Sequence, residues 1–273
     1  MTTVDSVRFR PNPVMLGLLR GRLEIGQFFR ARTSMVFSFA LPIGILVIFG
    51  SIFKQDLAPG VTFTQYFVAG MIATSQLTNG FQTLAIQIPI ERDKGVLKRL
   101  AGTPMPRSAY FIGKILMVYV AGIIGTALAL LIAVLFFGVH LPTSGEKWVT
   151  FLWVSVLGIA ACTLCGIAFS SVAKDGKSAP AIATPPALAL QFISGVFIVF
   201  RDLPGWMQGV ASVFPLKWMT QGMRSVFLPD SYQVNEVSHS WQLGRVALVL
   251  GAWVVAGLVL CLLTFRWTAK DDR

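Results

Sequence analysis

Residues 90–139 read IERDKGVLKRLAGTPMPRSAYFIGKILMVYVAGIIGTALALLIAVLFFGV. The stretch changes solvent partway. Its first half holds Glu91, Arg92, Asp93, Lys94, Lys98, Arg99, Arg107 and Lys114, whereas residues 115–139 hold no charge. At about 1.5 Å of rise per residue, such a run crosses roughly 30 Å of hydrocarbon as a helix. Backbone groups in lipid must bond internally, which selects a helix over an open sheet. The in–out alternation of a barrel strand is absent.

The same alternation of charged punctuation and apolar run repeats along the chain. Apolar runs cover residues 35–53, 63–90, 110–139, 148–172, 180–200 and 243–267. The composition agrees: the 273 residues are 55% hydrophobic and only 13% charged, and mean hydropathy is +0.70. A soluble domain is about a quarter charged. The expected fold is an all-α integral membrane protein with six transmembrane helices, forming a single six-span domain over residues 1–273 without a nucleotide-binding domain.

The net charge of +11 could suggest nucleic acid, but the basic residues lie in short segments between apolar runs. Six spans place both termini on one side. That side collects sixteen basic residues: Arg8, Arg10, Arg20, Arg22, Arg30, Arg32, Arg92, Lys94, Lys98, Arg99, Arg107, Lys174, Lys177, Arg266, Lys270 and Arg273. The other side has five, namely Lys54, Lys147, Arg201, Lys217 and Arg224, with Lys114 and Arg245 at helix ends. The bias makes the terminal side cytoplasmic. Every charged residue falls in a loop or near a span end. Proton-coupled carriers commonly bury carboxylates or histidines at mid-membrane, and this pattern has no such group.

Several local segments carry further expectations. Residues 14–33 predict an amphipathic interfacial helix, with Leu16, Leu19, Leu23, Ile25, Phe28 and Phe29 apolar and Arg20, Arg22, Arg30 and Arg32 reaching headgroups. A simple basic topogenic segment is the plainer alternative. Residues 91–103 predict a short cytoplasmic helix: Leu97 and Leu100 share one side, Lys98 and Arg99 the other, and Gly102, Pro104 and Pro106 end it. Such a helix can seat in a partner's groove, and a solvated loop is the competing reading.

In the second run, Gln76, Asn79 and Gln82 recur every three residues on one side. Two readings stay open, a path lining and hydrogen bonding between helices. The fifth run adds Thr184, Pro185, Pro186 and Gln191. Residues 201–242 are long and aromatic for a loop, with Trp206, Phe214, Trp218, Phe227 and Trp241, which predicts short re-entrant or interfacial helices over the outer mouth.

Other motifs fail for want of context. Gly176-Lys177-Ser178 matches the tail of a phosphate loop, but residue 171 is Ser171 and a membrane run precedes it in place of a strand. Cys162 and Cys165 have redox spacing but sit in an apolar run. His140 and His239 have no ligand-spaced partners. No catalytic residue and no metal site are expected.

The pattern ERDKGVLKRLAGTP at residues 91–104, with Gly113-Lys114 opening the next run, resembles permeases of the type-2 ABC transporter family, which includes antibiotic exporters of the daunorubicin-resistance type. Leu203, Pro204, Trp206, Phe214, Pro215 and Leu216 are similar to the family too, and the resemblance covers nearly the whole chain. It implies a multi-pass subunit of a prokaryotic cytoplasmic (inner) membrane. It implies that residues 91–103, with Glu91, Arg92, Asp93, Gly95, Leu97, Leu100, Thr103 and Pro104, form a coupling helix on an ATPase. It implies that residues 14–33 are a connecting helix, that Gln76, Asn79, Gln82 and Gln191 line a path through the second and fifth spans, and that Pro204, Trp206, Phe214 and Pro215 belong to an outer gate. The implied assembly has two ABC ATPase subunits, holding ATP and Mg, and a second permease chain in a homodimer or heterodimer. The implied direction is outward, for a hydrophobic or amphipathic drug, antibiotic or lipid-like cargo. A polysaccharide or lipid-precursor cargo is the alternative, and a channel or secondary carrier fits less well.

Overall fold

A computed structural model describes residues 12–53 and 55–265. Arg8, Arg10, Lys54, Arg266, Lys270 and Arg273 lie outside the described residues. Nearly all of the rest is helix.

Helix α1 spans Pro13–Arg30. Asn12 caps it, its Oδ1 accepting the Val14 N–H at 3.0 Å, and Pro13 supplies a first-turn residue with no N–H to orphan. The chain bends at Ala31 and continues as α2, Arg32–Ile52. A two-stranded antiparallel hairpin follows, β1 (Asp56–Ala58) with β2 (Val61–Thr62), which the apolar pattern did not anticipate. Thr62 then caps α3, Phe63–Leu77, its Oγ1 accepting the Gln65 N–H.

The second apolar run is one long helical rod with a fault in it. Between α3 and α4 (Thr83–Asp93), residues Thr78–Gln82 form a π turn. The fault has a packing cause. A Cβ at Gly166 would stand 2.6 Å from the Phe81 carbonyl oxygen, so the backbones of the π turn and of the later helix over Gly145–Phe169 nearly touch.

Helix α5 (Val96–Ala101) is separated from α4 by Gly95, whose φ of +68° is open to glycine at little cost. The single short helix expected over residues 91–103 is thus two pieces: Glu91, Arg92 and Asp93 are the last turn of the long rod, and the chain restarts at Val96. Helices α6 (Arg107–Phe137), α7 (Gly145–Phe169) and α11 (Leu243–Thr264) are each long and apolar enough to cross a membrane. Ser38–Ile52, within α2, and α8 (Ala179–Ile193) are shorter apolar helices. Helix α8 stops short of the expected residue 200 because the chain turns at Ser194 and Gly195, where φ is +75°.

Residues 201–242 contain a helical hairpin, α9 (Gly205–Val213) and α10 (Pro215–Phe227). Every residue of α10 is buried, against α3, α7 and α11. The main core sits there, around Phe67, Met71, Val154, Met219, Met223 and Leu250. Helix α1 lies along α6 through small residues. A Cβ at Gly17 would meet the Ile112 side chain at 2.6 Å, and one at Gly21 would meet Leu116 at 2.5 Å. This fit sets which side of α1 packs on the bundle. Gly17, Gly21, Glu24 and Phe28 face inward, while Leu19 and Leu23 are half or more exposed.

Candidate functional site

Three regions carry the residues singled out by the sequence. The first is the corner where α1, α4, α5 and α6 meet. Leu97 is fully buried there in a cluster with Phe28, Leu84, Ile88 and Tyr110. Leu100 packs at its edge. Phe28 meets Phe29 and Phe39 edge-on, at 5.3 and 6.0 Å between ring centroids.

Under this apolar cluster lies a charged knot. Lys114, fully buried on α6, donates from Nζ to Glu24 Oε2 of α1 at 2.8 Å and to Glu91 Oε1 of α4. Arg20 pairs with the other oxygen of Glu24, and the Tyr110 hydroxyl donates to Glu91 Oε2 at 2.9 Å. All four carboxylate oxygens are therefore engaged, as burial of two carboxylates requires. Lys114 was placed at a helix end by the sequence, and it is the eighth residue of α6. That it is the hub was missed, because its partners lie 90 and 23 residues away and neither separation is a local motif.

Next to the knot, the Arg92 guanidinium donates to the Ser170 carbonyl at 3.4 Å, and Asp93 Oδ2 accepts the Gly176 N–H at 2.5 Å. The end of α4 is thereby fastened to the α7–α8 connection. In that connection the Ser178 N–H donates to Asp175 Oδ1, and this bond holds the Asp175 carboxyl below the usual carboxylate range.

Glu91, Arg92 and Leu97 thus face inward, and the surface left open at this corner is Lys94, Lys98, Arg99, Gly102, Thr103 and Pro104. Thr103 ends α5 by donating to the Leu100 carbonyl at 2.7 Å. Along α1, Arg22 and Arg30 are exposed.

The second region is the polar run of the long rod. Gln76 Nε2 donates to Ser155 Oγ of α7 at 3.1 Å. Asn79 turns back to the Ser75 carbonyl at 2.9 Å. Gln82 Nε2 donates to Thr184 Oγ1 of α8 at 3.0 Å. The π turn explains why residues spaced by three do not share one side: it adds a residue per turn, so Gln82 faces α8 while Gln76 faces α7. Gln191 is buried on α8. Gln76 and Gln82 tie helices together, while among the described residues Gln76 Oε1 and Asn79 Oδ1 stay buried without a protein partner.

The third region is the hairpin. Pro204 precedes α9 and Pro215 opens α10. Trp206 is 67% exposed. Phe214, at the tip, stacks on Trp253 of α11 at 6.0 Å, and the Trp253 indole donates to the Val213 carbonyl at 2.7 Å. Above the tip, Arg224 and Glu236 form a two-pronged buried pair at 2.7 and 3.1 Å, with the guanidinium 4.9 Å from the Tyr66 ring centroid. Arg224 and Lys217, expected as outer-loop cations, are both buried. A signal was present: they sit seven apart on a helix that opens with proline, one amphipathic side apart from solvent.

Comparison with known proteins accords with this architecture. The family model described as ABC-2 type transporter matches residues 20–228. The inner membrane transport permease YadH of Escherichia coli K12 is 26% identical over 220 residues, covering 79% of this chain and 80% of that protein. The putative transport permease ycf38 of Porphyra purpurea is 23% identical over 256 residues, covering 85% and 84%. The probable multidrug ABC transporter permease YbhS of Escherichia coli K12 is 20% identical over 177 residues, covering 64% of this chain and 46% of that protein.

Proposed function

Because the chain belongs to the ABC-2 type transporter family, we propose that it is the permease subunit of an exporter driven by a separate ABC ATPase. Six crossings are assigned: α2, the α3–α4 rod, α6, α7, α8 and α11. Both termini then face the cytoplasm, α5 meets the ATPase, and the hairpin lies at the outer face. ATP and Mg²⁺ belong to the ATPase. Two ATPase chains and a second permease chain complete the assembly.

The observation that carries this reading is the way α5 is mounted. Its exposed side is basic, with Lys98 and Arg99, and its inner side is pinned by Leu97. Just before Lys94, the last turn of the rod is gripped by Lys114 through Glu91 and by Gly176 through Asp93. A push on α5 therefore reaches α1, α6, the α7–α8 connection and the rod together. The rod continues to α3, against which α10 packs, so displacement at one face has a stiff route to the hairpin at the other. Between the charged corner and the Arg224–Glu236 pair the bundle is apolar and aromatic, with the rod's amides among it, which supports a hydrophobic or amphipathic cargo.

The test is co-purification in mild detergent followed by reconstitution. A nucleotide-binding protein is expected to accompany the chain. Export of an amphipathic fluorescent probe from vesicles is expected with the intact ATPase and absent with a hydrolysis-dead one. Export by the purified chain alone, driven by an ion gradient, would count against the reading.

A further inference from the structure

One feature of the bundle takes no part in the coupling corner, the rod's amides or the outer pair. A cavity of about 340 Å³ lies between α8 and α11, with α7 and the π turn behind it. Phe81 and Phe169 form its back wall, and Leu190 and Leu260 its flanks. Its roof is the hairpin tip, Phe214 and Pro215, locked to Trp253. At the opposite end it reaches Ser171 and Thr264. The lining is otherwise apolar, and among the described residues no titratable carboxylate or amine borders it.

We propose that this groove holds an acyl chain of an anionic phospholipid from the cytoplasmic leaflet. Three observations commit it to that occupant. The first is length. From Trp253 at the roof to Thr264 at the mouth, α11 advances about 16 Å at about 1.5 Å per residue, which matches one leaflet of a roughly 30 Å hydrocarbon core. The second is depth: Trp253 is the middle of α11, so the roof stands near the bilayer centre, where a tail ends. The third is charge. The chain leaves the mouth at Ser171 and Val172 and runs into exposed Lys174 and Lys177, and basic residues at the cytoplasmic interface attract anionic headgroups. Asp175 between them is turned to the Ser178 N–H. The lipid fills the gap that α8 and α11 leave beneath the hairpin, so it props the outer segment from below. This inference uses the membrane orientation given above, and it is independent of the exporter role.

The test uses the full chain in nanodiscs with a phosphatidylglycerol carrying a diazirine at its acyl terminus. Labelling is mapped by mass spectrometry and compared with the same probe on phosphatidylcholine. Label at Leu190 and Trp253 is expected to exceed that at Ile123, an exposed mid-helix residue of α6, by fivefold or more. K174E/K177E is expected to cut the phosphatidylglycerol excess severalfold and leave phosphatidylcholine labelling unchanged. Ala168→Phe, which fills the wall, is expected to abolish the excess. Its fold is checked by its melting temperature, and the lysine variant stands as the surface-only control. Equal labelling of Leu190, Trp253 and Ile123 overturns the proposal, whether the groove is empty or covered by a second copy. An excess that is the same for both headgroups, or indifferent to K174E/K177E, overturns it too. All of these readouts are taken without the ATPase, so they can fail while transport stands.

Discussion

Lys114→Met isolates the charged knot. In the native corner the ammonium is fully buried and joins Glu24, which is 3% exposed, to Glu91. Methionine keeps the length of the side chain and removes the charge. Glu24 then keeps one cation, Arg20, on its far oxygen, and the half-buried Glu91, whose side chain is 19% exposed, keeps the Tyr110 hydroxyl as a donor. Leaving a buried charge without its partner costs about 3–5 kcal/mol. At about 1.4 kcal/mol per tenfold, that is a loss on the order of 10²–10³-fold in the folded-to-unfolded ratio. Unfolding by denaturing detergent in mixed micelles, followed by tryptophan fluorescence, measures it. The double variant K114M/E91Q removes the carboxylate left without a cation and keeps Glu24 paired with Arg20; it is expected to regain more than half of the lost stability, since the penalty comes from the uncompensated charge. A Lys114→Met chain within about 0.5 kcal/mol of the wild type, the range of an ordinary surface change, would refute the reasoning. So would a double variant no better than the single one, because the loss would then come from packing and not from uncompensated charge.

Three further outcomes are expected. Gly166→Leu drives a side chain into the Phe81 carbonyl, where even a Cβ would stand at 2.6 Å; the cost is about 1–3 kcal/mol or more, seen as a lowered melting temperature in detergent. Glu236→Gln breaks the pair with fully buried Arg224 and is expected to destabilise the chain by about 3–5 kcal/mol, with increased proteolysis between α9 and α11 as a second readout. Lys98→Glu with Arg99→Glu reverses charge on the exposed side of α5; melting is expected to change little while ATPase co-purification drops severalfold, and unchanged capture would remove α5 from the partner contact.

The apolar helices were legible because length and hydrophobicity act locally: residues 115–139 need no tertiary information to be read as a span, and α6 ends within a few residues of the expected bounds. That residues 201–242 would hold short helices was legible from their aromatic residues. What was not legible depends on contacts between distant residues. The π turn arises where Gly80 and Gly166 let two backbones meet, and no pattern within residues 63–90 signals it. The same holds for α1: its amphipathic pattern was legible, but the fit of Gly17 and Gly21 on α6 was not. For the candidate site, the open basic surface near Lys98 and Arg99 was visible in the sequence. The inward roles of Glu91 and Lys114 required knowing that Glu24 comes alongside.

The Arg224–Glu236 pair has a consequence for how the chain is made. Synthesis runs from the N-terminus, so α10 emerges twelve residues before its counter-charge. Seating a lone guanidinium beneath Tyr66 would strand it without compensation. Helix α10 is therefore expected to seat only once the loop bearing Glu236 has been delivered, so that the hairpin and that loop close together.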